Sequence, residues 1–142
     1  MSPELGAGWP GERLVALAEG SPAAEVCGLL VSGAGGGEVE PWPITNASAT
    51  PATAFELEPR ELLGALRRLE AAGGRLVAVY HSHLAGGADL SPRDLAGALV
   101  DGTPVLPGAA QVVVALEGGQ ARRVRAHRWT GQGFEPVDLW WR

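Results

Sequence analysis

The sequence predicts an α/β fold, a mixed β-sheet flanked by helices within one domain that spans residues 1–142. Three observations carry that prediction. Two apolar runs, Val26–Val31 and Leu76–Tyr80, are short, β-branched and bounded by Gly-rich turns, as buried strands are. Two segments, residues 10–19 and the stretch that opens at Pro59, repeat their apolar residues at helical spacing. Three further strand-like runs, 111–116, 121–129 and 134–141, follow in succession, with Gly118-Gly119 and Gly131 as turns between them. Helices interspersed among strands and a closing meander make a mixed sheet.

Each element has its own local reason. Leu14, Val15, Leu17 and Ala18 form an amphipathic stripe, and Gly20 closes that helix. The run 26–31 ends in the glycine-rich turn 33–37. Residues 38–44 alternate loosely and contain Pro41 and Pro43, which confine them to an irregular or edge strand. The polar stretch 45–54 reads as a loop. Pro59 starts the second helix, with Leu62, Leu63, Leu66 and Leu69 expected on one face, and Gly73-Gly74 end it. Ser91-Pro92 then reads as an N-cap followed by proline in the first turn of a third helix. Neither a repeat nor a linker interrupts the chain.

Composition narrows the function classes. With 142 residues, 46% hydrophobic and 19% charged, the chain can bury a core. Its net charge of −5 argues against nucleic acid as a partner. No apolar run is long enough to cross a membrane, and Met1-Ser-Pro-Glu-Leu-Gly6 lacks the charged and apolar regions of a signal peptide. A single cysteine, Cys27, precludes an internal disulfide and fits a reducing cytoplasm. It lies within an apolar run, where cysteine acts as a small hydrophobe and not a nucleophile. Every basic residue is arginine, so the chain offers no side-chain amine for conjugation through lysine.

The residues that carry chemistry are His81-Ser82-His83 and Ser91-Pro92-Arg93-Asp94. In a strand, residues i and i+2 share a face, so His81 and His83 point one way and Ser82 the other. Two co-facing imidazoles suit a borderline metal such as Zn²⁺, and Asp94 in the first turn of the following helix can bring a third ligand, leaving a fourth position for water. Each piece alone has a plainer reading: a hydrogen-bonded histidine pair, and a well-capped helix start. Their combination in a strand–loop–helix context is what favours the metal. A hydrolytic site then needs a proton carrier. Glu25 is the best placed, immediately before a buried strand, although a solvated loop residue is the simpler reading from spacing. Ser91 has two candidate roles, N-cap and hydrogen-bond donor to an oxyanion. His127 has no ligand-type neighbour and reads as a surface or edge-strand residue. Trp140-Trp141 reads as an exposed terminus, either a capped sheet edge or a homodimer contact.

The spacing His81-x-His83-x7-Ser91-x2-Asp94 resembles the JAMM (MPN+) metalloprotease motif. Glu25-Val26-Cys27-Gly28-Leu29-Leu30 resembles the family's upstream glutamate segment, and Asn46-Ala47 and Phe55-x-Leu57-x-Pro59 resemble its intervening landmarks. The likeness extends over roughly residues 14–114 in register. It implies Zn²⁺ held by His81, His83 and Asp94, Glu25 as general base and acid, and Ser91 as oxyanion partner, on an MPN or cytidine deaminase-like sandwich. It further implies cleavage of a peptide or isopeptide bond after the C-terminal Gly-Gly of a ubiquitin-like or sulfur-carrier protein. Other functions on such a fold are a non-catalytic scaffold and a cell-wall peptidase. Here every ligand and the glutamate are retained, and no export signal is apparent. A zinc deaminase would be expected to show Pro-Cys-x-x-Cys, which is absent. Leu84 and Leu90 stand where the family commonly has proline, so the connecting loop is expected to be less rigid. Only sixteen residues separate Asp94 from Gln111, too few for the long insertion with which eukaryotic deubiquitinases grip ubiquitin.

Overall fold

The structure, a computed structural model, describes residues 8–141. The N-terminal hexapeptide considered above lies outside the described residues. In chain order the elements are α1 (Gly11–Glu19), β1 (Cys27–Ser32), β2 (Val39–Ile44), α2 (Pro59–Ala71), β3 (Arg75–His83), α3 (Pro92–Ala98), β4 (Leu99–Val100), β5 (Thr103–Pro104), β6 (Ala110–Glu117), β7 (Gln120–Trp129) and β8 (Phe134–Leu139). Six strands form one sheet in the order β2-β1-β3-β6-β7-β8. Its neighbours are antiparallel except for β3 and β6, which run parallel. The sheet is therefore mixed, as predicted. Proline-containing β2 lies at an edge, where its missing N–H groups are tolerated.

The single parallel pair decides where a site can form. Joining parallel neighbours needs a crossover, and here it consists of α3 and the small β4–β5 hairpin. That hairpin carries no strong strand signal and escapes the sequence reading. Strand β3 thus has an antiparallel partner on one side and a parallel one on the other, a switch of direction that opens a crevice at its C-terminal end.

The two faces of the sheet are covered by different helices. Leu14, Val15 and Ala18 of α1 pack with Leu30, Tyr80, Val112, Val114 and Val124. On the opposite face Ala65 and Leu69 of α2 pack with Leu29, Val31 and Val79, flanked by Leu62 and Leu66. Leu63 does not join them and is half exposed. It lies about 100° around the helix from Leu62, off the stripe that the 3.6-residue period defines. At the C-terminal end, Trp140 is 80% exposed, whereas Trp141 packs against the α1 side of the core. The expected exposure therefore holds for one of the two tryptophans.

Gly28 shows how tightly β1 is gripped. A Cβ built there would lie 2.4 Å from the carbonyl oxygen of Trp42 and 2.6 Å from the Tyr80 hydroxyl. Both neighbouring strands would have to move. Gly28→Ala is expected to destabilise the fold by about 1–3 kcal/mol, the range for overpacking a filled core. Chemical denaturation would measure it, and an unchanged midpoint would contradict the packing argument.

Candidate metal centre

His81 and His83 close β3, and α3 starts nine residues after His83. Alternation along the strand turns both imidazoles toward α3. Their Nε2 atoms lie 3.0 Å apart. Asp94 Oδ2 is 3.1 Å from His81 Nε2 and 2.9 Å from His83 Nε2. Asp94 is held there by a reciprocal capping box, in which Ser91 N donates to Asp94 Oδ2 (2.9 Å) and Asp94 N donates to Ser91 Oγ (3.0 Å). The N-cap reading of Ser91-Pro92 and the juxtaposition of Asp94 with both histidines therefore coexist. The cap is what aims the carboxylate.

The donor set suits a divalent metal ion, and the three side chains lie close enough together to share one. Ligand bonds of about 2.0–2.1 Å at a tetrahedral ion set donors roughly 3.3 Å apart, close to the spacing found. His83 Nδ1 donates to the carbonyl of Gly87 at 2.8 Å. A carbonyl only accepts, so Nδ1 carries a proton; without an ion Nε2 donates to Asp94, and on losing that proton it would offer its lone pair to a metal. His81 is fully buried and its ring stacks on Phe55, with centroids 4.1 Å apart. Its Nδ1 is buried with no partner, so stacking sets its orientation.

Electrostatics reinforce the assignment. Burial lowers His81 and keeps it neutral. For His83 burial acts in the same direction, but hydrogen bonds to Asp94 and Gly87 outweigh it and the net shift is upward. Burial alone would raise Asp94. The bonds from His81, His83 and the Ser91 amide prevail and hold it well below the usual carboxylate range.

Glu25 completes the arrangement from the opposite strand. Cys27 pairs with His81 in the antiparallel β1–β3 register, so Glu25, two residues earlier, comes abreast of His83. The contact is fastened by Ser82, whose N–H donates to the Val26 carbonyl (3.0 Å) and whose Oγ accepts from Val26 N (2.9 Å). Glu25 N donates to the Pro51 carbonyl (2.7 Å), and its own carbonyl accepts from Asn46 Nδ2 (3.0 Å). The Asn46 amide uses all four of its positions, bonding also to Ala54 O, Ser48 N and Glu56 N. Glu25 is only 5% exposed, and its Oε1 is buried without a partner. It is not the solvated loop residue that spacing suggested. Burial pushes its pKa up to about 7, while the nearby His83 opposes the rise and Asp94 adds to it.

That shift has a consequence for the metal-free protein. The ordinary value is 4.5 and the folded value about 7, so the folded state binds the Glu25 proton more tightly than the unfolded chain. This stabilising contribution is complete below pH 4.5 and is lost as pH rises through 7, a loss of about 3 kcal/mol at 1.36 kcal/mol per unit. Metal-free Glu25→Gln is expected to be more stable than the parent at pH 8 and to match it near pH 4. Thermal melts at the two pH values check this, and a constant difference would refute it.

Residues 12–130 match the family described as prokaryotic homologs of the JAB domain. The chain belongs to the prokaryotic JAB-domain family. Within it, the chain is 33% identical to the desampylase of Haloferax volcanii over 123 residues, covering 86% of this chain and 81% of that protein. A 53-residue stretch is 47% identical to a probable TtuB-protein conjugate cleaving protease of Thermus thermophilus, covering 37% of this chain and 36% of the relative. The fold is shared with a solution structure from Desulfitobacterium hafniense (TM-score 0.67, 24% identity, 90% of this chain and 85% of that one). A second, from Salinibacter ruber, has a TM-score of 0.60 at 20% identity, covering 97% of this chain and 88% of that one.

The loop after the second histidine is fastened both to the site and to β7. Three successive residues are held: Gly87 by His83, Ala88 by His127 Nε2 (2.9 Å to its carbonyl) and Asp89 by Arg125 Nη1. His127 is 4% exposed on β7, one strand in from the edge. The expectation of a surface or edge position fails, because period-2 alternation places His127 beside Arg125 on the loop-covered face. Cys27 conforms to its expectation: it is buried, and burial pushes its thiol up to about 12. Among the described residues no helix is long and apolar enough to cross a membrane.

Proposed function

We propose that this protein is a zinc-dependent JAMM-type metallopeptidase. It hydrolyses the peptide or isopeptide bond after the C-terminal Gly-Gly of a ubiquitin-like or sulfur-carrier protein. The carrying observation is the buried, unpartnered Glu25 carboxylate facing a convergent His81, His83 and Asp94 set. A scaffold that had lost catalysis would have no reason to keep a carboxylate there at a cost in stability. The named relatives, a desampylase and a conjugate-cleaving protease, support the substrate class.

In this reading His81, His83 and Asp94 would hold Zn²⁺, which when bound would supply the Lewis acidity that makes a water nucleophilic near neutral pH. Glu25 takes the water's proton at Oε1 and hands it to the departing amine, a role suited to a carboxylate poised near 7. Ser91 Oγ already accepts from Asp94 N. Its hydroxyl hydrogen remains free to donate to the developing oxyanion, so capping and transition-state stabilisation use different parts of one group. Residues 1–142 act as one peptidase domain, in the cytoplasm, where the single thiol stays reduced. The exposed Trp140 offers a contact for a homodimer.

The test is to incubate zinc-loaded protein with ubiquitin-like fusions ending in Gly-Gly-x and to locate the cut by mass spectrometry. Cleavage after the second glycine is expected. A protein that binds zinc tightly yet cuts none of them contradicts the proposal.

A further inference from the structure

Beside Asp94 the fold leaves a cavity of about 230 Å³, walled by Phe55, Leu57, Leu62, Val79, Val105 and Leu106. Gln111 of β6 enters it, being 8% exposed, and its amide finds no hydrogen-bond partner among the described residues. The amide is not among the fully buried unpartnered groups, so it is open to the cavity and free to bond a ligand there. One edge of the cavity is also unpaired. Asn46 and Leu57 form an antiparallel bridge whose bonds are made by the flanking pairs, Ala47 N to Glu56 O and Glu58 N to Thr45 O. The N–H and C=O of Leu57 therefore point away from Asn46, as a free edge that an extended peptide can pair with.

We infer that this cavity is the subsite for the residue preceding the Gly-Gly pair, taking a large apolar side chain while Gln111 and Leu57 bind the tail backbone. The inference rests on the function proposed above. Two glycines bring no side chain to a cavity that Asp94 helps to line. The first side chain an extended tail can offer lies roughly 7 Å back from the cut, at the preceding residue. The apolar walls disfavour a charged occupant; apart from Asp94, which faces the two histidines, the lining carries one residue of each sign, Arg93 and Glu56.

Gly97 provides a clean test. It lines the cavity, and a Cβ built on it meets nothing within 4 Å, so a larger residue fills space without disturbing the core. Fusions ending in Leu-Gly-Gly, Ala-Gly-Gly and Arg-Gly-Gly before a common leaving segment are compared by kcat/KM. The leucine fusion is expected to be cut at least about 10-fold faster than the other two, the usual worth of a few methylenes in an apolar pocket. Gly97→Leu should erase that advantage and leave the alanine fusion within about twofold. Equal rates for all three overturn the inference, as does a preference that follows the residue after Gly-Gly. If no fusion is cut, the parent reading fails, and binding of the free tail peptides to the zinc-loaded Glu25→Gln protein decides the subsite alone. Tighter binding of Leu-Gly-Gly, lost in Gly97→Leu and weakened in Gln111→Leu, sustains it. Indifference to the peptide removes it.

Discussion

Glu25→Gln is expected to reduce hydrolysis by a factor of about 10³ or more while leaving the metal in place. General acid–base catalysis is worth roughly 10²–10⁴, and in the proposed mechanism Glu25 performs both transfers, so the loss should fall toward the upper end. Glutamine keeps the side-chain volume, and it keeps an oxygen and a nitrogen where the carboxylate oxygens stood. What it lacks is a site that both takes and returns a proton. The measurement pairs single-turnover cleavage with zinc content of the same preparation. Stoichiometric zinc with unaltered turnover would show that the proton passes through some other group. Since the buried carboxylate costs stability near neutral pH, the inactive variant should also be the more stable one in metal-free form. Few functional residues offer so direct a separation of activity from folding.

Removal of Asp94 is expected to have the second large effect, and it is expected to be double. Asp94 Oδ2 faces both histidines and also accepts the Ser91 amide. Asp94→Ala should lose the metal and, independently, about 1 kcal/mol or more of helix stability as the cap disappears. Asp94→Asn separates the two. Its side-chain oxygen can still accept from Ser91 N, so α3 keeps its cap while the anionic ligand is gone. Zinc content should fall in both variants, whereas the metal-free melting temperature should fall mainly in the alanine variant. Retention of zinc by either would remove Asp94 from the ligand set. His83→Ala provides the control that loses metal with no cap to lose.

The sequence disclosed the parts whose physics is local. Alternation placed His81 and His83 on one face, Ser91-Pro92 announced a capped helix, and the prolines of β2 predicted an edge. The mixed sheet followed from the order of apolar runs. What stayed hidden depended on register between distant segments. Glu25 looked solvated because nothing near it in sequence shows that Cys27 pairs with His81. Ser82 read only as the residue that points the other way, yet its Oγ ties β1 to β3. His127 and Arg125 carried no signal, since the loop they hold lies almost forty residues upstream. Leu63 was misplaced for the opposite reason, a local pattern read too generously.

Arg125 bonds at once to Asp89 in the loop and to Asp138 on β8. A proline stiffens a chain through covalent geometry and is indifferent to its surroundings. A guanidinium between two exposed carboxylates is not, because dissolved ions screen it. These contacts make the hold on the histidine loop a property of the medium as well as of the chain. They also extend its support to the last strand, well outside the motif that names the family.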